Sequence, residues 1–239
     1  MGRARGWWLI AHRGASAMAP ENTGAAVRAA IAAGADMVEL DIQLTADGRL
    51  VVFHDDELRR ITGVRGRLAA RSYAQVARLD AGRWFDGRFA GERIPLVSQV
   101  LRMTPLRVRL NLELKRTRRQ TRLIAAVQRL LRRPGVRGRL LLSSFDPALM
   151  ARLGRSRVPR ALISRRAGDA ALRQAVQLGC AAWHPHVRLV TRRRVASAHA
   201  AGLRVHAWTV DDPTVARRLL GWGVDGLFTN DPARLKGLR

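Results

Sequence analysis

Residues 204–229 read RVHAWTVDDPTVARRLLGWGVDGLFT. A short apolar, β-branched run at 204–209 gives way to an Ala-, Arg- and Leu-rich stretch of helical period at 213–220, and a second short apolar run follows at 226–229. Strand, helix, strand in so few residues is the repeating unit of a parallel sheet. Moving towards the N-terminus, the alternation recurs. Runs at 180–183, 160–164, 140–143, 107–114, 37–44 and 7–11 predict strands. Stretches at 192–201, 170–178, 147–153, 121–132 and 21–33 predict helices, the last stopped by Gly34 and the one before it by Pro134-Gly135. Pro232 opens a final short helix. Asp47-Gly48 marks a turn after the strand at 37–44, so the run at 50–53 is a local hairpin extension of that strand. With the extension set aside, eight strand–helix units remain. They fit an α/β fold of the TIM-type (β/α)8 barrel kind better than a doubly wound sheet. Residues 56–95 break the rhythm and carry Tyr73, Trp84, Phe85 and Phe89. This segment is too small to build a second core, so it is expected to be an insertion after the second strand, lying over one barrel rim, with residues 1–239 forming a single domain.

Composition supports a folded chain. The 239 residues are 47% hydrophobic and 26% charged, and no uncharged apolar run approaches the roughly 18 to 20 residues that span a bilayer. The lone cysteine, Cys180, cannot form an internal disulfide and is expected as a small core residue. The first residues are basic, but the apolar run at 7–11 is shorter than a secretory h-region, and Gly6 stands where a myristoylation pattern needs Ser or Thr. A cytoplasmic location is expected. The net charge is +26, from 44 basic against 18 acidic residues. All the basic residues except Lys115 and Lys236 are arginine, spread from end to end, while only five glutamates occur. Such usage has the texture of a compositional bias. No recognition motif accompanies it, so no specific nucleic-acid partner is expected, only a weak electrostatic attraction to polyanions and anionic membranes. The oligomeric state is not legible.

In a barrel, chemistry belongs at the carboxyl ends of the strands. The first strand ends in His12-Arg13-Gly14, the second carries Glu39-Leu40-Asp41, and its extension ends in His54-Asp55. The third ends in Glu113-Leu114-Lys115, the fourth in Ser144-Phe145, the sixth in His184-Pro185, the seventh in Trp208-Thr209 and the eighth in Asn230. Side chains alternate along a strand, so Glu39 and Asp41 share a face, as do Glu113 and Lys115. Three carboxylates converging from neighbouring strands repel unless a cation joins them, and oxygen ligands suit one hard divalent ion such as Mg²⁺ or Ca²⁺. The alternative is that they pair with some of the many arginines. His12 and His54 are placed to divide general-base and general-acid work. Arg13 offers a planar fork matching phosphate oxygens, and Lys115 a point charge. For His184 and Trp208, packing and substrate contact weigh equally; His186, His199 and His206 read as structural or surface residues.

His12-Arg13-Gly14, then Pro20-Glu21-Asn22-Thr23 after five residues, resembles the opening signature of the glycerophosphodiester phosphodiesterase family. Glu39-x-Asp41, Thr45-x-Asp47-Gly48, Val51-Val52-x-His54-Asp55, Glu113-x-Lys115, Ser144-Phe145, Trp208-Thr209-Val210 and Thr229-Asn230 follow in the family's order. The resemblance runs from His12 to about Pro232. It implies a TIM-type barrel with a small insertion after the second strand and hydrolysis of small-molecule glycerophosphodiesters to glycerol 3-phosphate and an alcohol. It further implies metal ligands at Glu39, Asp41 and Glu113, acid–base histidines at His12 and His54, phosphate contacts from Arg13 and Lys115, and support from Glu21 and Asn22. Phe145, His184 and Trp208 are expected beside the substrate. Asp211 stands where many relatives have asparagine. Two other activities compete: a lysophospholipase D-like action using an apolar groove at Trp84, Phe85 and Phe89, and noncatalytic binding of polyanions through the arginines.

Overall fold

A computed structural model describes residues 6–154 and 157–238. The expectations resting on residues 1–5, including the myristoylation test at Gly2 and the basic start of a leader, lie outside the described residues. The strands are β1 (Trp8–Ala11), β2 (Met37–Leu44), β3 (Leu50–Val52), β4 (Arg109–Leu114), β5 (Leu140–Ser144), β6 (Arg160–Ser164), β7 (Ala182–Pro185), β8 (Arg204–Ala207) and β9 (Gly226–Thr229). The helices are α1 (Gly24–Ala32), α2 (Arg59–Thr62), α3 (Tyr73–Val76), α4 (Val97–Met103), α5 (Gln120–Leu131), α6 (Pro147–Arg152), α7 (Gly168–Gln177), α8 (Arg192–Ala200), α9 (Pro213–Gly221) and α10 (Pro232–Lys236). Eight strands pair in parallel in the order β1-β2-β4-β5-β6-β7-β8-β9, and β9 returns to β1 to close the barrel. β3 lies outside the ring, antiparallel to β2 as a hairpin extension. The expected TIM-type barrel is therefore present. No helix among the described residues is long and apolar enough to cross a membrane.

Strand alternation builds two cores. Leu9, Val38, Leu40, Leu110, Leu112, Leu142, Trp183, Val205 and Leu227 face the helices, while Ile10, Met37, Leu141, Ala161, Ala182 and Phe228 fill the barrel. Two residues further along the inward face, apolar gives way to polar: Met37 is followed by Glu39 and Asp41, Leu141 by Ser143, and Ala182 by His184. All of these polar residues are buried. The same parity rule that fills the core thus delivers the chemistry to its mouth.

Some boundaries move from their expected places. The helix expected from 21 begins at Gly24, because Asn22 takes a left-handed φ of 61°. Thr23 caps the helix, accepting from the Ala26 amide and donating to the Pro20 carbonyl. Pro20–Asn22 thereby becomes a turn at the barrel mouth. The strand expected at 180–183 begins at Ala182, since the Cys180 amide still bonds back to Ala175 and closes the end of α7. Cys180 is a buried core residue nonetheless. The strand expected from 107 starts at Arg109, after a turn in which the Val108 amide bonds to Pro105. Residues 56–95 leave after β3 and return at α4, and they collect a small cluster of their own. Leu58, Ile61, Leu68, Val76, Ala81 and Ile94 pack on Val51 and Phe53. Trp84, Phe85 and Phe89 pack edge to face on one another, leaving Trp84 exposed at 40%.

Candidate active site

The loop after β1 is shaped by its backbone. Arg13 has a left-handed φ of 56° and Gly14 one of 82°. A Cβ on Gly14 would stand 2.7 Å from the Ala26 carbonyl carbon, so only glycine lets the loop sit against α1. The strained turn at Arg13 aims its amide at Glu39 Oε2, 2.8 Å away. Its guanidinium reaches Glu21 at 2.9 Å and Asp41 at 3.4 Å. Asn22 donates to Asp41 Oδ2 at 2.9 Å and accepts from the Asp41 amide at 3.1 Å. Glu21 also accepts from Arg60 on α2 at 2.7 Å, so the insertion is tied to the rim of the site.

One oxygen each from Glu39, Asp41 and Glu113 lies within 4.8 Å of the others, and all three residues are buried. Adjacent strands set this: Asp41 pairs in register with Glu113, and Glu39 with Asn111. Lys115 Nζ reaches Glu113 at 2.8 Å and Asp41 at 3.2 Å. The arginine-pairing alternative is met only in part, because Arg13 and Lys115 supply two positive charges against three negative ones. The imbalance shows in the titration. Burial works against ionisation at Asp41, but Lys115 and Arg13 hold its carboxyl at about 2. Burial and the Asp41 charge push Glu113 up to about 7. Burial, then Asp41 and Glu113, raise Glu39 well above the usual carboxylate range. Glu39 Oε1 is buried with no hydrogen-bond partner. A buried carboxylate oxygen without a donor, facing two more carboxylates, is what a hard divalent cation would complete.

His12 follows β1 with its Nδ1 2.8 Å from Asn230 Oδ1. The Asn230 amide nitrogen donates to Asp211 Oδ2 at 2.7 Å, so its oxygen must face His12 and Nδ1 must carry the proton. Asp211 therefore anchors Asn230 and with it the His12 ring. Burial and the neighbouring Arg13 charge lower the His12 pKa. His54, which lines the same cavity as His12, has its Nδ1 2.6 Å from Asp55. Burial would raise the Asp55 carboxyl, but Arg60 and His54 hold it low.

The cavity bounded by these groups measures about 70 Å³ and is also lined by Asn111, Phe145, Ile163, Arg165, His184, Trp208 and Phe228. His184 is fully buried, 3.1 Å from His206, and burial followed by that neighbour drives its pKa well down, so it is neutral. The Trp208 indole donates to the His184 carbonyl at 2.9 Å and carries Phe145 on its side at 5.4 Å, edge to face. The structure thus brings all twelve expected site residues to one end of the barrel. Sequence reasoning passed over Asn111, whose side-chain amide is buried without partners beside Glu39 on the neighbouring strand. Its position two residues before Glu113 was a usable signal. It also passed over Arg165, which nothing distinguishes from the other arginines.

Hard oxygen donors, paired imidazoles and two cations around one small cavity form an arrangement suited to displacement at a phosphodiester. A family model described as the glycerophosphoryl diester phosphodiesterase family matches residues 12–234. The chain is 36% identical over 231 residues to YhdW of Bacillus subtilis, covering 94% of this chain and 95% of that one. It is 32% identical to a Caldanaerobacter subterraneus protein named glycerophosphodiester phosphodiesterase, across 96% of each. Among solved structures it is similar to an Oleispira antarctica phosphodiesterase in complex with the product sn-glycerol-3-phosphate. The TM-score there is 0.89 and the identity 32%, over 96% of this chain and 95% of that one.

Proposed function

The chain belongs to the glycerophosphoryl diester phosphodiesterase family, and on that footing we propose how its site hydrolyses glycerophosphodiesters to glycerol 3-phosphate and an alcohol. Residues 1–239 act as one catalytic barrel with 56–95 as a rim insertion. Glu39, Asp41 and Glu113 would hold one divalent cation, Mg²⁺ or Ca²⁺, to which their all-oxygen donor set and the unpartnered Glu39 oxygen are suited. When bound, the ion supplies Lewis-acid polarisation of a phosphoryl oxygen.

The rest is done by the chain's own groups. Arg13 and Lys115 flank the carboxylates and offset charge developing on the non-bridging oxygens. Neutral His12, its Nδ1–H engaged by Asn230, offers Nε2 as the base that takes a proton from the attacking oxygen. His54, oriented through Nδ1 by the Asp55 carboxylate, donates a proton to the departing alcohol as its P–O bond breaks. Glu21 holds Arg13, and Asn22 holds Asp41. His184 fixes Trp208, which with Phe145 forms the wall along which the substrate lies.

The observation that carries this reading is the buried carboxylate trio, two of whose members, Glu39 and Glu113, line one cavity with both histidines. Binding of polyanions alone needs no such trio. The test is release of glycerol 3-phosphate from a panel of diesters with Mg²⁺, Ca²⁺ or a chelator, for the native chain and Glu39→Gln. Chelator should abolish release, either ion or both should restore it, and the variant should stay inactive. Undiminished release in chelator and in the variant would overturn the metal assignment. Including a lysophospholipid in the panel separates the lysophospholipase D-like activity, which requires preference for the long chain.

A further inference from the structure

Beyond β6, Arg165 stands at the mouth of the catalytic cavity with its guanidinium 5.3 Å from the centre of the Trp208 ring. It is exposed, and it also lines a second cavity of about 640 Å³, which shares Phe145 and Ile163 with the first, so that the two lie side by side. Arg166 and Arg173 line that second cavity too, and none of its described lining residues is acidic. The catalytic cavity, at about 70 Å³, is much the smaller of the two and encloses only part of a diester. The variable part of a diester, its departing alcohol, must therefore extend past the rim. On this side it meets arginines.

Resting on the phosphodiesterase reading above, we infer that Arg165 and the arginine-lined cavity beyond it select glycerophosphodiesters whose departing alcohol bears a phosphate, such as a phosphorylated polyol, and disfavour those bearing a quaternary ammonium. Two effects compete at this rim. An aromatic wall of Trp208, Phe145 and His186 could draw a cationic head group onto its π-faces. Here a guanidinium already stands at the Trp208 face, and Asp41 and Glu113 are engaged with Lys115, Asp41 also with Arg13. A second cation would meet like charge, whereas a phosphate would find a bidentate donor held near the indole by its cation–π contact. The field at the wall points the same way: burial, then the charges of Arg165 and Arg188, lower the pKa of His186.

The test compares three diesters of glycerol phosphate, esterified to choline, to glycerol and to inositol 4-phosphate, by kcat/KM for glycerol 3-phosphate release at low salt. The phosphorylated substrate should exceed the choline one by roughly tenfold or more, carried mainly in KM. Arg165→Ala should lower that ratio about tenfold, Arg165→Lys should keep part of it, and Arg165→Glu should reverse it. Raising salt beyond about 0.1 M should compress the preference, since the arginine is exposed. The ratio between substrates cancels any general loss from the substitution. A choline preference in the native chain, or a ratio that Arg165→Glu leaves unmoved, would refute the inference while leaving the phosphodiesterase reading intact. Failure to cleave any of the three, with either ion present, would remove both.

Discussion

Glu39 is almost wholly enclosed, with one carboxylate oxygen on the Arg13 amide and the other on nothing. Such a group ionises readily only when something positive arrives, and Glu113, at about 7, shares the condition. A cation must bind the deprotonated trio. Since the ion-free site takes up a proton as pH falls through about 7, apparent affinity for Mg²⁺ or Ca²⁺ should weaken below that pH, approaching tenfold per unit for each proton displaced. Titration calorimetry near pH 6.5 in two buffers of different ionisation enthalpy should give different heats, and the difference should shrink as pH rises past about 7. Identical heats near pH 6.5 would contradict proton displacement. Beside the trio, His54→Ala should cost about 10² to 10⁴-fold in turnover. Near-normal turnover would remove His54 from the chemistry. The three carboxylates were legible from the i,i+2 pairs Glu39-x-Asp41 and Glu113-x-Lys115, and the two histidines because histidine is scarce and each closes a strand run. Arg165 was not, because its identity carries no contrast in a chain so rich in arginine; only its place over Trp208 singles it out.

At the scale of elements, the strand runs identified themselves through apolar, β-branched composition, and the structure moved mainly their ends. Those ends depend on local hydrogen bonds that composition does not encode, as at α1, where Asn22 turns left-handed and Thr23 caps the helix. The turn that delays α1 is also what lets Asn22 face Asp41 instead of being spent in a helical turn. The insertion was legible as an interruption but not in its internal fastening. Asp80 accepts from the Gly82 and Arg83 amides through Oδ1, both at 2.9 Å, and from Gly91 through Oδ2 at 2.8 Å. These amides hold the Asp80 carboxyl at about 2. Its folded pKa is depressed below the unfolded value near 3.9, so its contribution is complete above that value and fades as pH falls towards 2. Asp80→Ala should therefore lower stability by about 1–2 kcal/mol near neutrality, after allowing for partial exposure. The gap between native and variant denaturation midpoints should narrow between about pH 5 and pH 2.5. A gap independent of pH would mean that the carboxylate's charge does not fasten this loop.

For the molecule as a whole, counting eight strand–helix units was enough to anticipate a barrel, because closure follows from how many such units must share one sheet. The charge of +26 was the more ambiguous signal, since it belongs to the surface at large while the chemistry depends on acids. The two are nevertheless coupled through the field. A small cavity whose rim carries Arg13, Lys115 and Arg165, on a body of strongly positive charge, should concentrate anionic substrates at its mouth. Screening acts over about 10 Å at 0.1 M salt, which is comparable to the distance from the rim arginines to an approaching ligand. For the diester of glycerol phosphate with glycerol, which carries a net negative charge, kcat/KM should fall several-fold, roughly three to ten times, between about 20 and 300 mM salt, with kcat nearly constant. The choline diester is zwitterionic, and the same range of salt should change its kcat/KM far less. Parallel decline for both substrates would trace the effect to salt acting on the site itself, and the basic surface would then have no part in delivering substrate to the barrel.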